Sequence, residues 1–105
     1  MKTDIYEMRS SIVKALGHPV RLKLLDILSS TNEKCVCELV EEVGSSQSTT
    51  SKHLSILKAA GILTTRKEGL KTYYEVRTPC VATFFSCLDS IIRADLEEKR
   101  HSLNH

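Results

Sequence analysis

A polar stretch that follows Gly44 constrains the fold of this chain more than any other feature. It begins with seven consecutive small or polar residues, 45–51 (SSQSTTS). Such a run is often a flexible linker. However, Thr50, Leu54 and Leu57 recur here at helical spacing and form one apolar stripe, and most of the polar residues lie away from it. The pattern therefore predicts a helix that packs along one face and presents hydroxyl and amide groups along the other.

The segments before this helix predict three further helices. Apolar residues recur at three- and four-residue steps over 5–16, and a second apolar helix begins at Pro19, a residue suited to a first helical turn. A short helix is predicted at about 36–43, with Gly44 placed as its C-terminal cap. A short helix, a tight turn and a polar-fronted helix therefore follow one another directly.

The segments after this helix predict a hairpin and a last helix. Residues 62–68 and 71–76 are rich in strand formers and flank Gly69-Leu70. A final helix is predicted from Cys80 to about Ser102, with apolar side chains on more than one side, which is typical of a helix covered on both sides. This order describes a mainly α (α+β) winged helix-turn-helix, with about five helices and a two-stranded wing, in a single domain over residues 1–105.

Composition and charge favour a small phosphate-binding protein over an enzyme. A chain of 105 residues with 41% hydrophobic content can form one thin core, which pairing with a second copy would extend. The net charge is only +2, but residues 45–77 contain six basic and two acidic residues, a local footprint suited to phosphate. The four histidines accompany no convincing nucleophile–base pair, so an enzyme is not expected.

The chain is expected to remain in the cytoplasm. No apolar run follows Met1 as in a signal peptide, and no stretch approaches the roughly 20 apolar residues that span a bilayer. Thiols stay reduced in the cytosol, so the four cysteines are expected to be metal-binding, redox-active or buried rather than paired in disulfides.

Several stretches resemble the ArsR/SmtB family of metal-sensing repressors, from about residue 12 to residue 88. They are 15–21 (ALGHPVR), 35–39 (CVCEL), 46–54 (SQSTTSKHL), 57–61 (LKAAG), 66–69 (RKEG) and 73–74 (YY). The resemblance implies a homodimer joined through the helices near 5–16 and 80–102. It also implies DNA binding in the ligand-free state and release when a ligand binds. A dimer of this kind would recognise an inverted-repeat operator in double-stranded DNA.

The resemblance also suggests which residues face DNA. Gln47, Ser48, Ser51 and Lys52 match the family's DNA-facing positions, and Gln can pair bidentately with adenine. Thr49 and His53 are second choices, whereas Thr50 is expected in the core. His53 could equally be a surface residue.

Phosphate contacts are expected from basic residues beyond these base-reading positions. They are Lys58, Arg66, Lys67 and Lys71. Lys58 could instead be only a solvated side chain on the helix.

The cysteines are the candidate sensor. Cys35 occupies a helix-cap position where Ser, Thr, Asp or Asn is usual, and thiolates bind arsenic(III) and soft metal ions. Cys35 and Cys37 can converge only if the helix start is irregular. Because two thiols are few for a tight site, Cys80 and Cys87 are expected either to complete it, within one protomer or across the dimer, or to be buried fillers.

Other readings remain open. The inducer could be cadmium, lead or zinc, or the cysteines could respond to oxidants or persulfides in a repressor of the same fold. A metallochaperone would need the thiols without the DNA contacts. Asp95, His101 and His105 suggest a zinc site on the last helix, but their spacing does not match the family pattern. No permanent cofactor is expected.

Overall fold

The computed structural model describes residues 4–104, which form five helices and a small antiparallel sheet. In chain order these are α1 (Ile5–Leu16), α2 (Pro19–Ser29), β1 (Lys34–Cys35), α3 (Val36–Val43), α4 (Gln47–Ala59), β2 (Leu63–Glu68), β3 (Lys71–Val76) and α5 (Cys80–Leu103). The helices and the hairpin lie where the sequence predicts them, with ends that differ by no more than a few residues.

Local chemistry explains these boundaries. Side chains of Asp4, His18 and Ser46 each accept a hydrogen bond from a backbone N–H two or three residues later, at the starts of α1, α2 and α4. Gly44 ends α3 with φ 78°, a left-handed conformation that favours glycine. The turn between α3 and α4 is therefore only three residues long.

The wing differs from the predicted two-stranded hairpin because a third strand joins it. The strand order is β1-β3-β2, and Cys35 of β1 pairs with Tyr73 of β3. A two-residue strand is too short to show an alternating pattern, so the sequence could not predict it. Its pairing brings the start of α3 against the wing.

The core is a cluster of leucines from the three central helices. Leu24, Leu25 and Leu28 of α2 meet Leu39 of α3 and Leu54 and Leu57 of α4, and none of the six is more than 1% exposed. Thr50 lies beside them at 0% exposure, which confirms its prediction as a core residue. The helix-turn-helix is therefore fixed by its own apolar faces.

Two helices keep apolar surface that this chain does not cover. Ile12 and Val13 of α1 are 42% and 60% exposed, and Ile91 and Leu96 of α5 are 66% and 59% exposed. A single chain therefore leaves part of the last helix uncovered, and its predicted covering on both sides would require a second copy. Exposed apolar surface of this kind typically marks a protein interface. No helix within residues 4–104 is long and apolar enough to cross a membrane.

Truncation of Leu54 tests the role of this core. Leu54→Ala should lower the free energy of unfolding by about 2–5 kcal/mol, because a cavity replaces a fully buried side chain. Leu70→Ala is the matched control, since Leu70 is fully exposed at the wing tip, and its effect should stay within about 0.5 kcal/mol. Urea denaturation at one fixed protein concentration measures both, and equal effects would contradict the assignment.

Candidate nucleic-acid interface and thiol site

The polar face of α4 is open to solvent at its N-terminal end. Gln47, Ser48, Thr49 and Lys52 are exposed and Ser51 is half-buried, while Lys58 is exposed in the last turn. The opposite face packs on α2 and α3. The helix therefore presents amide, hydroxyl and ammonium groups on a rigid support, a combination that can hydrogen-bond to base edges in a major groove.

His53 is a correction to the predicted DNA-facing set. Its side chain is only 8% exposed, its Nδ1 lies 3.3 Å from Nη1 of Arg21, and its ring centroid lies 4.3 Å from that of His18. His53 is therefore neither a surface residue nor placed to contact DNA. The sequence does hold the signal: with Thr50 and Leu57, residue 53 completes the three- and four-residue spacing of a buried face.

The surroundings of His53 favour its neutral form. Burial lowers its pKa below the ordinary value of 6.5, and the charges of His18, Arg21 and Lys52 lower it further. A neutral imidazole can accept a hydrogen bond from the Arg21 guanidinium, whereas a protonated one would repel it. The contact between α2 and α4 therefore depends on an uncharged His53.

The wing tip carries two basic side chains that point into solvent. Lys67 and Lys71 are exposed on either side of the Gly69-Leu70 turn, and Gly69 has φ 62°. The structure records no ion pair for either lysine among residues 4–104. Both therefore remain available for phosphate oxygens.

Arg66 is already bound within the protein, unlike the two lysines. Its Nη2 lies 2.5 Å from Glu33 Oε1, and its Nη1 lies 2.9 Å from Glu68 Oε2. The guanidinium also stacks over Tyr73, 4.8 Å from the ring centroid. Hydrogen bonds from Arg66 lower the pKa of Glu33, and those to Glu33 and Glu68 raise the pKa of Arg66. Its predicted phosphate contact would require these partners to be displaced.

Cys35 and Cys37 meet at the start of α3. Cys35 is the N-cap of the helix in an extended conformation, with φ −83° and ψ 165°, and Cys37 lies two residues later in its first turn. The contact with Cys37 raises the pKa of the Cys35 thiol, and burial raises it further. Glu38 accepts a hydrogen bond from the Cys35 N–H at 3.1 Å. Cys35 is 4% exposed and Cys37 is exposed.

The remaining ligand candidates do not join this pair. Cys80 and Cys87 are both exposed on α5, and Cys80 Sγ lies 3.3 Å from Thr78 Oγ1. Within the described range of one chain, no three Cys, His, Asp or Glu side chains gather closely enough to hold a metal ion. The single chain therefore gives no support to completion of a three-thiolate site inside one protomer, and completion across the dimer remains a prediction.

The zinc site considered on the last helix gains no support from the structure. Asp95 pairs instead with Lys99 at 2.9 Å, one turn further along α5. His101 lies in the last turn of that helix, and His105 lies outside the described residues.

Comparison with known proteins decides the family. Residues 18–65 match the family described as "Bacterial regulatory protein, arsR family". The arsenical resistance operon repressor of Staphylococcus xylosus is 38% identical over 90 residues, which cover 86% of each chain. The chain belongs to the ArsR family. It is therefore related to DNA-binding transcriptional regulators and not to enzymes.

Two further comparisons extend over most of the chain. The uncharacterized HTH-type transcriptional regulator MJ1325 of Methanocaldococcus jannaschii is 38% identical over 86 residues, 82% of this chain and 97% of that protein. The solved homodimeric winged helix-turn-helix domain Mb0332 of Mycobacterium bovis matches with a TM-score of 0.77 at 28% identity, covering 92% of this chain and 93% of that one. The winged-helix fold predicted from the sequence is confirmed.

The pH dependence of stability tests the His53 environment. Because the folded-state pKa of His53 lies below 6.5, the unfolded chain binds a proton first as pH falls through this value, and the folded state loses stability. The stability from neutral His53 is therefore fully present above pH 6.5 and decreases below it. His53→Gln should remove this component. Urea denaturation between about pH 7.5 and 5.5 measures it, and identical pH slopes for both proteins would refute the assignment.

Proposed function

We propose that this protein is a cytoplasmic homodimeric transcriptional repressor that releases its operator when arsenic(III) binds Cys35 and Cys37. The observation that carries the proposal is the position of two free thiols at the start of α3, Cys35 at the helix cap and Cys37 in the first turn. This helix packs directly on α4, the helix with the open polar face. A ligand held by the two sulfurs would therefore act on the first half of the helix-turn-helix itself.

The exposed apolar faces of α1 and α5 support the homodimer. Ile12, Val13, Ile91 and Leu96 would be buried if a second copy packed against these helices. The structural relative Mb0332 is described as homodimeric, and its fold is that of this chain. The proposed single domain thus combines a central helix-turn-helix, α3 and α4, with two outer helices, α1 and α5, that form the dimer interface.

DNA recognition is proposed to divide between α4 and the wing. Gln47, Ser48 and Ser51 would read base edges in the major groove, with Thr49 and Lys52 beside them. Lys58, Lys67 and Lys71 would contact phosphates and thereby position the dimer without adding sequence preference. The two copies of α4, related by twofold symmetry in the dimer, would select an inverted repeat with half-sites one or two helical turns of DNA apart.

Arsenic(III) is proposed first among soft ions. The relative from Staphylococcus xylosus is named an arsenical resistance operon repressor, and sulfur ligands suit a thiophilic centre. One chain supplies two such ligands at α3. Since no cluster of three ligands forms within the described part of a single protomer, a further thiol would come from α5 of the second copy, where Cys80 and Cys87 are exposed.

Mutation of Gln47 tests the reading helix. Gln47→Ala should weaken binding to the preferred duplex by about 1–3 kcal/mol and relax base preference at one position, because a bidentate base contact is lost. Ser55→Ala on the same helix is the control, since Ser55 is exposed but matches none of the proposed contacts. Anisotropy with duplexes selected from a randomised inverted-repeat pool measures both, and unchanged binding by Gln47→Ala would count against this orientation of α4.

Substitution of the thiol pair tests the inducer site. Arsenite should weaken operator binding of the wild type about 5- to 150-fold, the usual range for allosteric coupling. Cys35→Ser and Cys37→Ser should bind DNA normally but fail to release it, while Cys80→Ser and Cys87→Ser show which α5 thiol takes part. Anisotropy with arsenite, cadmium, peroxide and sulfide in parallel provides the measurement.

The possible outcomes separate the alternatives. Release by a Cys35→Ser/Cys37→Ser double variant on adding arsenite or cadmium would disprove the proposed site. Release of the wild type by peroxide or sulfide alone would replace the metalloid inducer with thiol oxidation or persulfide formation.

A further inference from the structure

We propose that Arg66 is a positioning residue that connects the wing to the thiol-bearing segment, and that it is not a phosphate contact. This inference rests on the proposed function, because the segment it grips leads into Cys35. It departs from the sequence-based expectation, which grouped Arg66 with Lys67 and Lys71. The structure gives the three wing cations two different environments.

The first observation is the set of partners around the Arg66 guanidinium. Besides the contact between Nη2 and Oε1, its Nε lies 3.3 Å from Glu33 Oε2, which makes the contact with Glu33 bidentate. Glu68 takes the remaining Nη1 at 2.9 Å, and the Tyr73 ring covers one face. Paired fork-like contacts of this kind fix orientation as well as charge. A phosphate oxygen would have to displace two carboxylates to reach this group.

The second observation is the register of the sheet. Cys35 of β1 pairs with Tyr73 of β3, and Tyr73 also pairs with Arg66 of β2. The three residues therefore lie in one row across the three strands. Glu33, just before β1, then links back to Arg66 through its carboxylate. The segment that contains Glu33 and Cys35 is thus joined to the wing in two ways, by backbone pairing of β1 with β3 and by the Arg66–Glu33 ion pair, which we call the clamp.

Through these contacts, a displacement of Cys35 on ligand binding would be transmitted directly to the wing. If the start of α3 shifts to bring two sulfurs onto one ion, β1 and Glu33 must follow because they adjoin Cys35 in the chain. Arg66 transfers that shift to β2, and Lys67 at the next position moves with it. Exposed ion pairs usually add little to stability, so the clamp should affect geometry and coupling more than folding.

The salt dependence of DNA binding separates a clamp from a phosphate contact. Each phosphate contact contributes about 0.9 to the slope of log K against log salt. Lys67→Gln should therefore reduce the magnitude of the slope by about one. Arg66→Gln and Glu33→Gln should leave the slope of the wild type unchanged. A loss of about one for Arg66→Gln would show that this side chain contacts phosphate and would overturn the inference.

The effect of arsenite on operator affinity provides a second test of the role of Arg66. The ratio of operator affinity without and with arsenite should fall roughly 2- to 30-fold in Arg66→Gln and Glu33→Gln, the range seen for residues that transmit coupling. Lys58→Gln, which removes a proposed phosphate contact on α4 outside the wing, should keep the ratio of the wild type although its affinity is lower. Circular dichroism of each variant confirms that the fold is retained.

Two outcomes distinguish this inference from the proposed function. Normal release by the wild type with an unchanged ratio in Arg66→Gln would overturn the clamp alone. Absence of release from the wild type with arsenite and cadmium would overturn the coupling together with the proposed inducer, and the salt slopes would still decide whether Arg66 contacts phosphate.

Discussion

Burial of one face of α4 is the interaction on which the rest of the structure depends. An isolated helix of 13 residues is marginal in water, and this one begins with a run of Ser and Thr that gives it little helical preference. Leu54 and Leu57 anchor it among the leucines of α2 and α3. The direction of its polar face, and hence any base contact, follows from that packing. The His53–Arg21 contact fixes the same helix at a second point.

The sheet has a second role besides forming a wing. A hairpin alone would move independently of the helices, since it would be joined to them only at its ends. The pairing of β1 with β3 attaches it to the start of α3, where Cys35 serves as both strand residue and helix cap. The backbone of Cys35 therefore pairs within the sheet, while its side chain lies at the N-terminus of α3. The nearby Cys37 is exposed to solvent.

The parts of the structure that could be predicted from the sequence are those with local causes. Capping residues, glycines and apolar spacing define α1 to α5 and the hairpin, because each acts within a few residues. The third strand and the ion pairs of Arg66 could not be predicted in this way, whereas the burial of His53 has a local signal in its helical spacing with Thr50 and Leu57. Arg66 and Glu33 are 33 residues apart, and only the folded sheet brings them together. The positions of the candidate thiols on α3 and α5 could be predicted, but not that the α5 thiols lie apart from the pair at α3 within one chain.

Under the proposed function, the separation of the thiols between α3 and α5 would connect sensing to assembly. A tight trigonal thiolate site needs three sulfurs, and one chain brings together only Cys35 and Cys37 among its described residues. The remaining thiols lie on the helix whose apolar face is left uncovered. A ligand bridging α3 of one copy to α5 of another would change the distance between the two α4 helices. That distance must match DNA half-sites about 34 Å apart or a multiple of it. A ligand held by one copy alone would instead act through that copy's wing. Both routes begin at Cys35, because this residue belongs at once to the sheet and to the helix-turn-helix.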